Sequence, residues 1–179
     1  HAAIRFNRFL QRFEFVIQVW DAANQEFVRE DLQLRAVIAQ EKAGPLNGRL
    51  NNDAMLRLDV FDGSITQMVP LTLTALSTQE NNSLLDLADS FNALFQNTVV
   101  GTGKLSDFVV AEVTQVGLQF ATTAFGAAAQ LQLNTLANAT TKNELHFVTS
   151  PTVVSGNNVE GFKQRFAFYQ AIGLEGTRI

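Results

Sequence analysis

The chain has 179 residues, 46% of them hydrophobic, which allows one domain or two small ones with a sizeable core. Its net charge of −4 at pH 7 and its 17% of charged residues argue against a nucleic-acid-binding face, which needs clustered positive charge. The absence of cysteine excludes disulfides and thiolate metal sites, and no apolar run approaches the roughly 20 residues that span a bilayer.

The first residues of the chain fit two patterns. Phe6, Phe9 and Phe13 recur at helical spacing, whereas Phe13 and Phe15 begin the alternation that is typical of a strand. We expect a short helical or irregular lead, followed by a strand from about residue 13 to residue 20.

The next segments predict strands, a loop and a hairpin. Residues 26–40 favour one or two strands, and residues 41–53 contain Gly-Pro and Asn-Gly pairs that predict a loop. This loop is the most plausible internal boundary, between a β-rich segment 1–47 and an α+β module 48–179, although the two can form one continuous domain. Residues 54–76 alternate on both sides of an Asp-Gly pair and predict a β-hairpin.

The stretch ENNSLLDLADSFNALFQ predicts an amphipathic helix over about residues 83–96. Asn82 or Ser83 can accept a backbone hydrogen bond and so cap its start. The predicted apolar face comprises Leu84, Leu87, Phe91 and Leu94. A face of this width suits packing on a sheet, and we expect it to cover a sheet instead of holding a site.

After the helix the pattern returns to strands. Residues 108–122 and 127–136 alternate, and one more strand is expected over residues 162–172. The order of elements predicts a β-rich α+β fold, in which one main amphipathic helix packs on one face of a mostly antiparallel sheet.

Several of these segments together resemble a repeat module of giant secreted bacterial surface proteins, which are adhesin-like. The pattern comprises a Thr-rich strand, an Asn-x-Ser-Leu helix start, a Gly-x-Leu-x-Phe strand and a short Glu-Leu-Gly-Phe motif. The chain is also similar in outline to the insert motif of flagellin and hook-associated proteins. The matching residues are Asn82, Leu84, Leu87, Asn92, Ala93, Leu94, Gly117, Leu118, Phe120, Glu144, Leu145 and Phe147. His146 departs from the pattern, which has Gly there. The resemblance implies an extracellular structural or adhesive module, without catalytic residues.

The metal-binding candidates are weak. His1 and His146 are the only histidines and could form a copper brace, although their spacing carries no information. Asp59 and Asp62 could offer oxygen ligands to calcium, but such a site needs about six to eight oxygens and an Asp-Gly turn explains the stretch better. We therefore expect no metal and no cofactor.

Other chemical candidates also have simpler explanations. Asp86 and Asp89 lie three residues apart and suit a helix start. The GTGK stretch at residues 101–104 lacks the spacing of a phosphate loop and is interpreted as a turn. Asn81 and Asn138 begin glycosylation sequons.

The Phe-rich ends predict contacts between copies of the chain. The candidate assembly residues are Phe6, Phe9, Phe13, Phe15, Phe166 and Phe168. We expect a non-enzymatic, bacterial, extracellular or cell-surface structural module that self-assembles or belongs to a filament, with copies of itself as partners. The alternative is a carbohydrate-binding or carbohydrate-active domain, in which Trp20 and Tyr169 would serve as stacking platforms.

Overall fold

A computed structural model of the chain describes residues 2–7, 12–21, 26–29, 35–61, 64–124 and 126–156. Within these ranges, twelve strands and two α-helices form. In chain order they are β1 (Ala2–Asn7), β2 (Arg12–Asp21), β3 (Glu26–Arg29), β4 (Val37–Ala39), β5 (Ala54–Phe61), β6 (Thr66–Leu73), α1 (Leu84–Asn97), β7 (Val99–Val100), β8 (Gly103–Lys104), β9 (Val109–Val113), β10 (Leu118–Thr122), β11 (Gln130–Asn134), α2 (Ala139–Asn143) and β12 (Val154–Ser155). The sheets are antiparallel and α1 is the main helix, so the predicted α+β class is confirmed.

The first three strands form an antiparallel meander in the order β1-β2-β3. Strand β2 agrees with the strand predicted over residues 13–20. The helical or irregular lead was wrong at its start, because Ala2–Asn7 is extended and pairs along its whole length with β2. Phe6 lies opposite Phe13 in this register, and Ile4 lies opposite Phe15. The alternation in β1 therefore matters more than the helical spacing, since cross-strand pairs stabilise the extended form.

Two further sheets enclose the main core. One has the strand order β4-β10-β9, and the other has the order β12-β11-β5-β6. The predicted hairpin is confirmed as β5 and β6, which pair over eight positions. Alternate residues of the second sheet are buried and belong to one cluster: Leu56, Leu58 and Val60 of β5, Val69, Leu71 and Leu73 of β6, and Leu131 and Leu133 of β11. This pattern is typical of an antiparallel sheet with one face on the core.

Helix α1 covers the same core. Ser83 is its N-cap, and the Ser83 hydroxyl accepts a hydrogen bond from the backbone N–H of Asp86 at 3.2 Å. Leu84 and Leu87 are buried and Leu94 is half-buried. The helix ends in an extended residue that leads directly into β7.

Phenylalanine rings connect α1 to strand β10 and to the loop after α2. The ring of Phe91 meets the ring of Phe120 on β10 edge-on, with 5.1 Å between centroids. Phe120 in turn stacks on Phe147 at 4.8 Å, and Phe95 lies 5.6 Å from Phe120. All four rings are fully buried. The central position of Phe120 explains how one helix, one strand and the loop after α2 share a single core.

A side-chain amide fixes α1 to the edge of a sheet. Asn92 accepts a hydrogen bond from the backbone N–H of Ala111 at 2.8 Å and donates one to the carbonyl of Ala111 at 3.0 Å. Ala111 lies on β9, the edge strand of its sheet. At Ala111 the amide thus takes the place of a neighbouring strand, since it satisfies backbone groups that an open sheet edge would leave for pairing with another chain.

We expect Asn92→Ala to lower the free energy of unfolding by about 1–3 kcal/mol, because it leaves the N–H and C=O of buried Ala111 without partners. Urea unfolding followed by circular dichroism measures the change. Asn97→Ala is the control, since Asn97 is an exposed residue of the same helix. Equal stability of the two variants would contradict the role of Asn92.

Candidate functional site

The described residues include an open polar cleft with a volume of about 600 Å³ beside the loop that precedes β5. Its lining combines loop residues with residues of the turn before α1. They are Pro45, Asn47, Arg49, Leu50, Asn51, Gln79 and Glu80. Five of these seven side chains are amides or charged groups, so the cleft suits a polar ligand better than an apolar one.

A glycine brings the loop close to the helix. Gly48 has a φ of +71°, and a Cβ built on it would lie 2.1 Å from the carbonyl oxygen of Ser83. Its own carbonyl accepts a hydrogen bond from the Asn81 side chain at 2.9 Å. The loop backbone therefore packs directly against the residue that caps α1.

Arg49, which lines the cleft, also links this loop to the turn before α1. Its Nε donates to the carbonyl oxygen of Asn81, and its guanidinium also donates to the Asn82 side-chain oxygen at 3.0 Å. The acceptors are neutral, which means that the cation positions a turn instead of neutralising a carboxylate. Arg49 thus links the loop to the two residues before the helix cap.

The other end of the cleft is joined to the residue after α2. One carboxylate oxygen of Glu144 accepts hydrogen bonds from the backbone N–H of Asn51 at 2.9 Å and from its side chain at 3.1 Å. The Asn47 side chain accepts the backbone N–H of Arg49 at 3.1 Å. These polar groups form hydrogen bonds within the protein. They connect the loop before β5 to the start of α1 and to the end of α2, and we call this set of contacts the joint around the cleft.

Asp86 lies at the start of α1, near this joint. Its carboxylate accepts a hydrogen bond from the backbone N–H of Asn82 at 2.7 Å. That bond, followed by one from the Ser83 side chain, lowers the pKa of Asp86 below its ordinary value of 3.8, against a smaller opposing effect of burial. Asp86 therefore acts as a second helix cap.

This pKa shift predicts a pH dependence of stability. A pKa that is lower in the folded state favours folding above the unfolded-state value, and the contribution is lost as the pH falls through the folded-state pKa. We expect Asp86→Asn to reduce stability at neutral pH and to flatten its decline between about pH 5 and pH 2. Urea titrations at each pH measure this. Asp89→Asn is the control, because Asp89 is exposed; identical pH profiles of the two variants would refute the capping role.

The calcium and copper candidates gain no site. Asp59 binds Arg57 through both of its carboxylate oxygens, at 2.7 and 2.9 Å, while Asp62 lies outside the described residues. The carbonyl oxygen of His146 accepts a hydrogen bond from the backbone N–H of Glu41 at 3.0 Å, and His1 also lies outside the described residues. In the part of the chain that the structure describes, no group of three or more His, Asp or Glu residues could hold a metal ion.

Both sequon asparagines have structural hydrogen bonds. Asn81 is buried and donates to Gly48 and, at 3.1 Å, to the hydroxyl of Ser90. Asn138 caps α2 by accepting the backbone N–H of Thr141 at 2.9 Å. The residues of the GTGK stretch form the turn between β7 and β8, as predicted, together with β8 itself.

The candidate assembly residues are only partly described. Phe6, Phe13 and Phe15 lie on β1 and β2, and the register places all three on one face of the meander. Phe9, Phe166 and Phe168 lie outside the described residues. The structure thus brings three of the six together in one chain.

Sequence reasoning missed the polar links between distant segments. Besides Arg49 and Glu144, Arg35 forms a bidentate ion pair with Glu112 on β9, at 2.7 and 2.8 Å. The Gly-Pro and Asn-Gly pairs at residues 44–45 and 47–48 marked the loop, and they predict turns without indicating which residues the loop contacts.

Comparison with models of protein families, with curated proteins and with solved structures finds no match to this chain. Across the described ranges, no helix combines the length and apolar character that crossing a membrane requires.

Proposed function

We propose that the chain is a non-catalytic structural module of a secreted or surface-attached bacterial protein, and that it associates with other copies of itself. One observation carries the proposal: the residues that match the surface-protein pattern build the scaffold. Leu84, Leu87, Leu118, Leu145 and Phe147 are buried in the core. Asn92 ties α1 to β9 as described above, and of the matching residues Ala93 alone is exposed without a contact of this kind.

Two backbone conformations support the same proposal. Gly117 has a φ of +141°, and a Cβ there would lie 2.6 Å from the side-chain oxygen of Gln40. His146 has a φ of +52°, a region that glycine enters most easily. The pattern has Gly at the position of His146, so the departure affects residue type and leaves the required backbone shape in place.

The first test is the mass of the protein in solution. We expect light scattering on size-exclusion fractions to give a mass that rises with concentration from the micromolar range upwards. A monomer at every concentration would refute self-association.

The second test concerns chemistry. We expect no hydrolytic or redox turnover on polysaccharide, peptide and ester substrates, with or without added copper. Copper-dependent oxidation of a polysaccharide that disappears when His1 is removed would overturn the non-catalytic assignment.

Carbohydrate binding is the second candidate function, and the open cleft with its amide lining favours it. A glycan array separates the two candidates. Retention of one glycan class, lost in Gln79→Ala and kept in the exposed control Asp89→Ala, would favour the carbohydrate role.

A further inference from the structure

A seven-residue motif occurs twice in the chain. Residues 9–15 read FLQRFEF and residues 162–168 read FKQRFAF, so five of seven positions are identical in the form F-x-Q-R-F-x-F. The two segments share three phenylalanines, one glutamine and one arginine at the same spacing. Segments with the same alternation of Phe can present the same side chains to a neighbouring strand.

The structure shows the task of the first copy. Its last four residues, from Arg12 to Phe15, begin β2 and pair with β1. In this ladder Arg12 lies opposite Asn7, Phe13 opposite Phe6, and Phe15 opposite Ile4. The last four residues of the motif thus form a strand that pairs with β1.

Strand β1 is an edge strand of the meander that the structure describes. It is the outer strand in the order β1-β2-β3, and within the described residues it pairs on one side with β2. The backbone groups along its other side form a template for an added strand.

We propose that residues 162–168 of one chain add as an antiparallel strand to the outer edge of β1 in a neighbouring chain. Phe166 would then lie opposite Phe6, and Phe168 opposite Ile4. Opposing residues of antiparallel strands share a face. The added strand would therefore extend the row of Phe13 and Phe6 by Phe166, on the face of the meander that carries Phe6, Phe13 and Phe15.

One difference between the two occurrences of the motif indicates that residues 162–168 add beside β1 and do not displace β2 from it. Glu14 in the first copy lies opposite Arg5, and the equivalent residue of the second copy is Ala167. Opposite charges across a ladder stabilise the pair. Strand β2 therefore stays paired with β1, and the outer edge of β1 is left for residues 162–168 of the neighbouring chain.

The segment before the second motif copy is short. The last described tie is the N–H of Gly156, which donates to the carbonyl of Ala129 at 3.0 Å. Phe162 follows six residues later, a span of about 20 Å at most. A neighbour that accepts this strand would lie close to β12, and repeated contacts of this head-to-tail kind would continue as a filament or close into a ring.

The lack of cysteine allows a clean cross-linking test. Asn7→Cys in one sample is mixed with Arg165→Cys in another and oxidised with glutathione disulfide. The proposed register places these residues opposite each other, at a Cα separation of about 4.5–5.5 Å, which suits a disulfide. Gln164→Cys replaces Arg165→Cys in the control, because it lies one residue away on the opposite face.

We expect the mixed dimer to form several-fold faster with Arg165→Cys than with Gln164→Cys. Equal rates, or a cross-link within single chains of the Asn7→Cys/Arg165→Cys double variant, would overturn the proposal. The inference rests on the proposed self-association, and light scattering on the same samples separates the two. If the protein assembles without selective cross-linking, the strand contact is wrong; if it stays monomeric, the proposed function itself fails.

Discussion

Replacing Phe91 by aspartate is expected to unfold the protein. Phe91 is fully buried, and its ring lies 5.1 Å from that of Phe120 and 6.1 Å from that of Phe95. Loss of such a side chain costs about 3–5 kcal/mol, and an unpaired buried charge adds several more. The sum is comparable to the roughly 5–15 kcal/mol that stabilise a typical domain.

Thermal melting followed by near-ultraviolet circular dichroism tests this expectation. Ala93→Asp is the matched control, because it introduces the same charge at an exposed position two residues further along α1. A soluble Phe91→Asp protein with the melting temperature of the original would show that the helix does not pack as described.

Gly48→Ala has the second largest expected effect, a loss of about 3 kcal/mol or more in the free energy of unfolding. The new methyl group would meet the Ser83 carbonyl at 2.1 Å, and the φ of +71° is itself unfavourable for alanine. Because the obstacle is backbone, the loop must move away. That movement would break the hydrogen bonds from Asn81 and Arg49.

A second glycine separates the two causes. Gly101 has a φ of +58°, and a Cβ built on it has no other atom within 4 Å. Gly101→Ala therefore introduces the strain of the left-handed backbone without the clash, and we expect it to cost about 1–2 kcal/mol. Similar urea midpoints for the two variants would mean that the loop does not press on the helix.

The parts of the fold that were predictable are those in which local pattern and tertiary packing agree. Helix α1 has a cap, a periodic apolar face and acidic residues at its start, and each of these is visible within a short window. Strands β5 and β6 alternate cleanly because one face is buried. At β1 the local pattern is ambiguous, and pairing with β2 selects the extended form of Phe6.

The joint around the cleft was not predictable for a different reason. Arg49 and Asn81 are 32 residues apart, and Asn51 and Glu144 are 93 apart. Which amide meets which backbone group depends on how the sheets pack. The left-handed conformations of Leu136 and Ala137 likewise follow from the path of the chain after β11, since neither residue type favours them.

The links between distant segments also determine when the protein can fold. Gln40 accepts the N–H of Leu118 across 78 residues, and Ala36 donates to the hydroxyl of Thr122 across 86. The core ring of Phe147 comes later still. Nearly the whole module must therefore be synthesised before the two sheets around the main core can pack together. Topologies with many contacts between distant residues fold slowly. During that interval β5 and β6 are exposed, and Pro70, which lacks an N–H, limits wrong pairing along the outer strand.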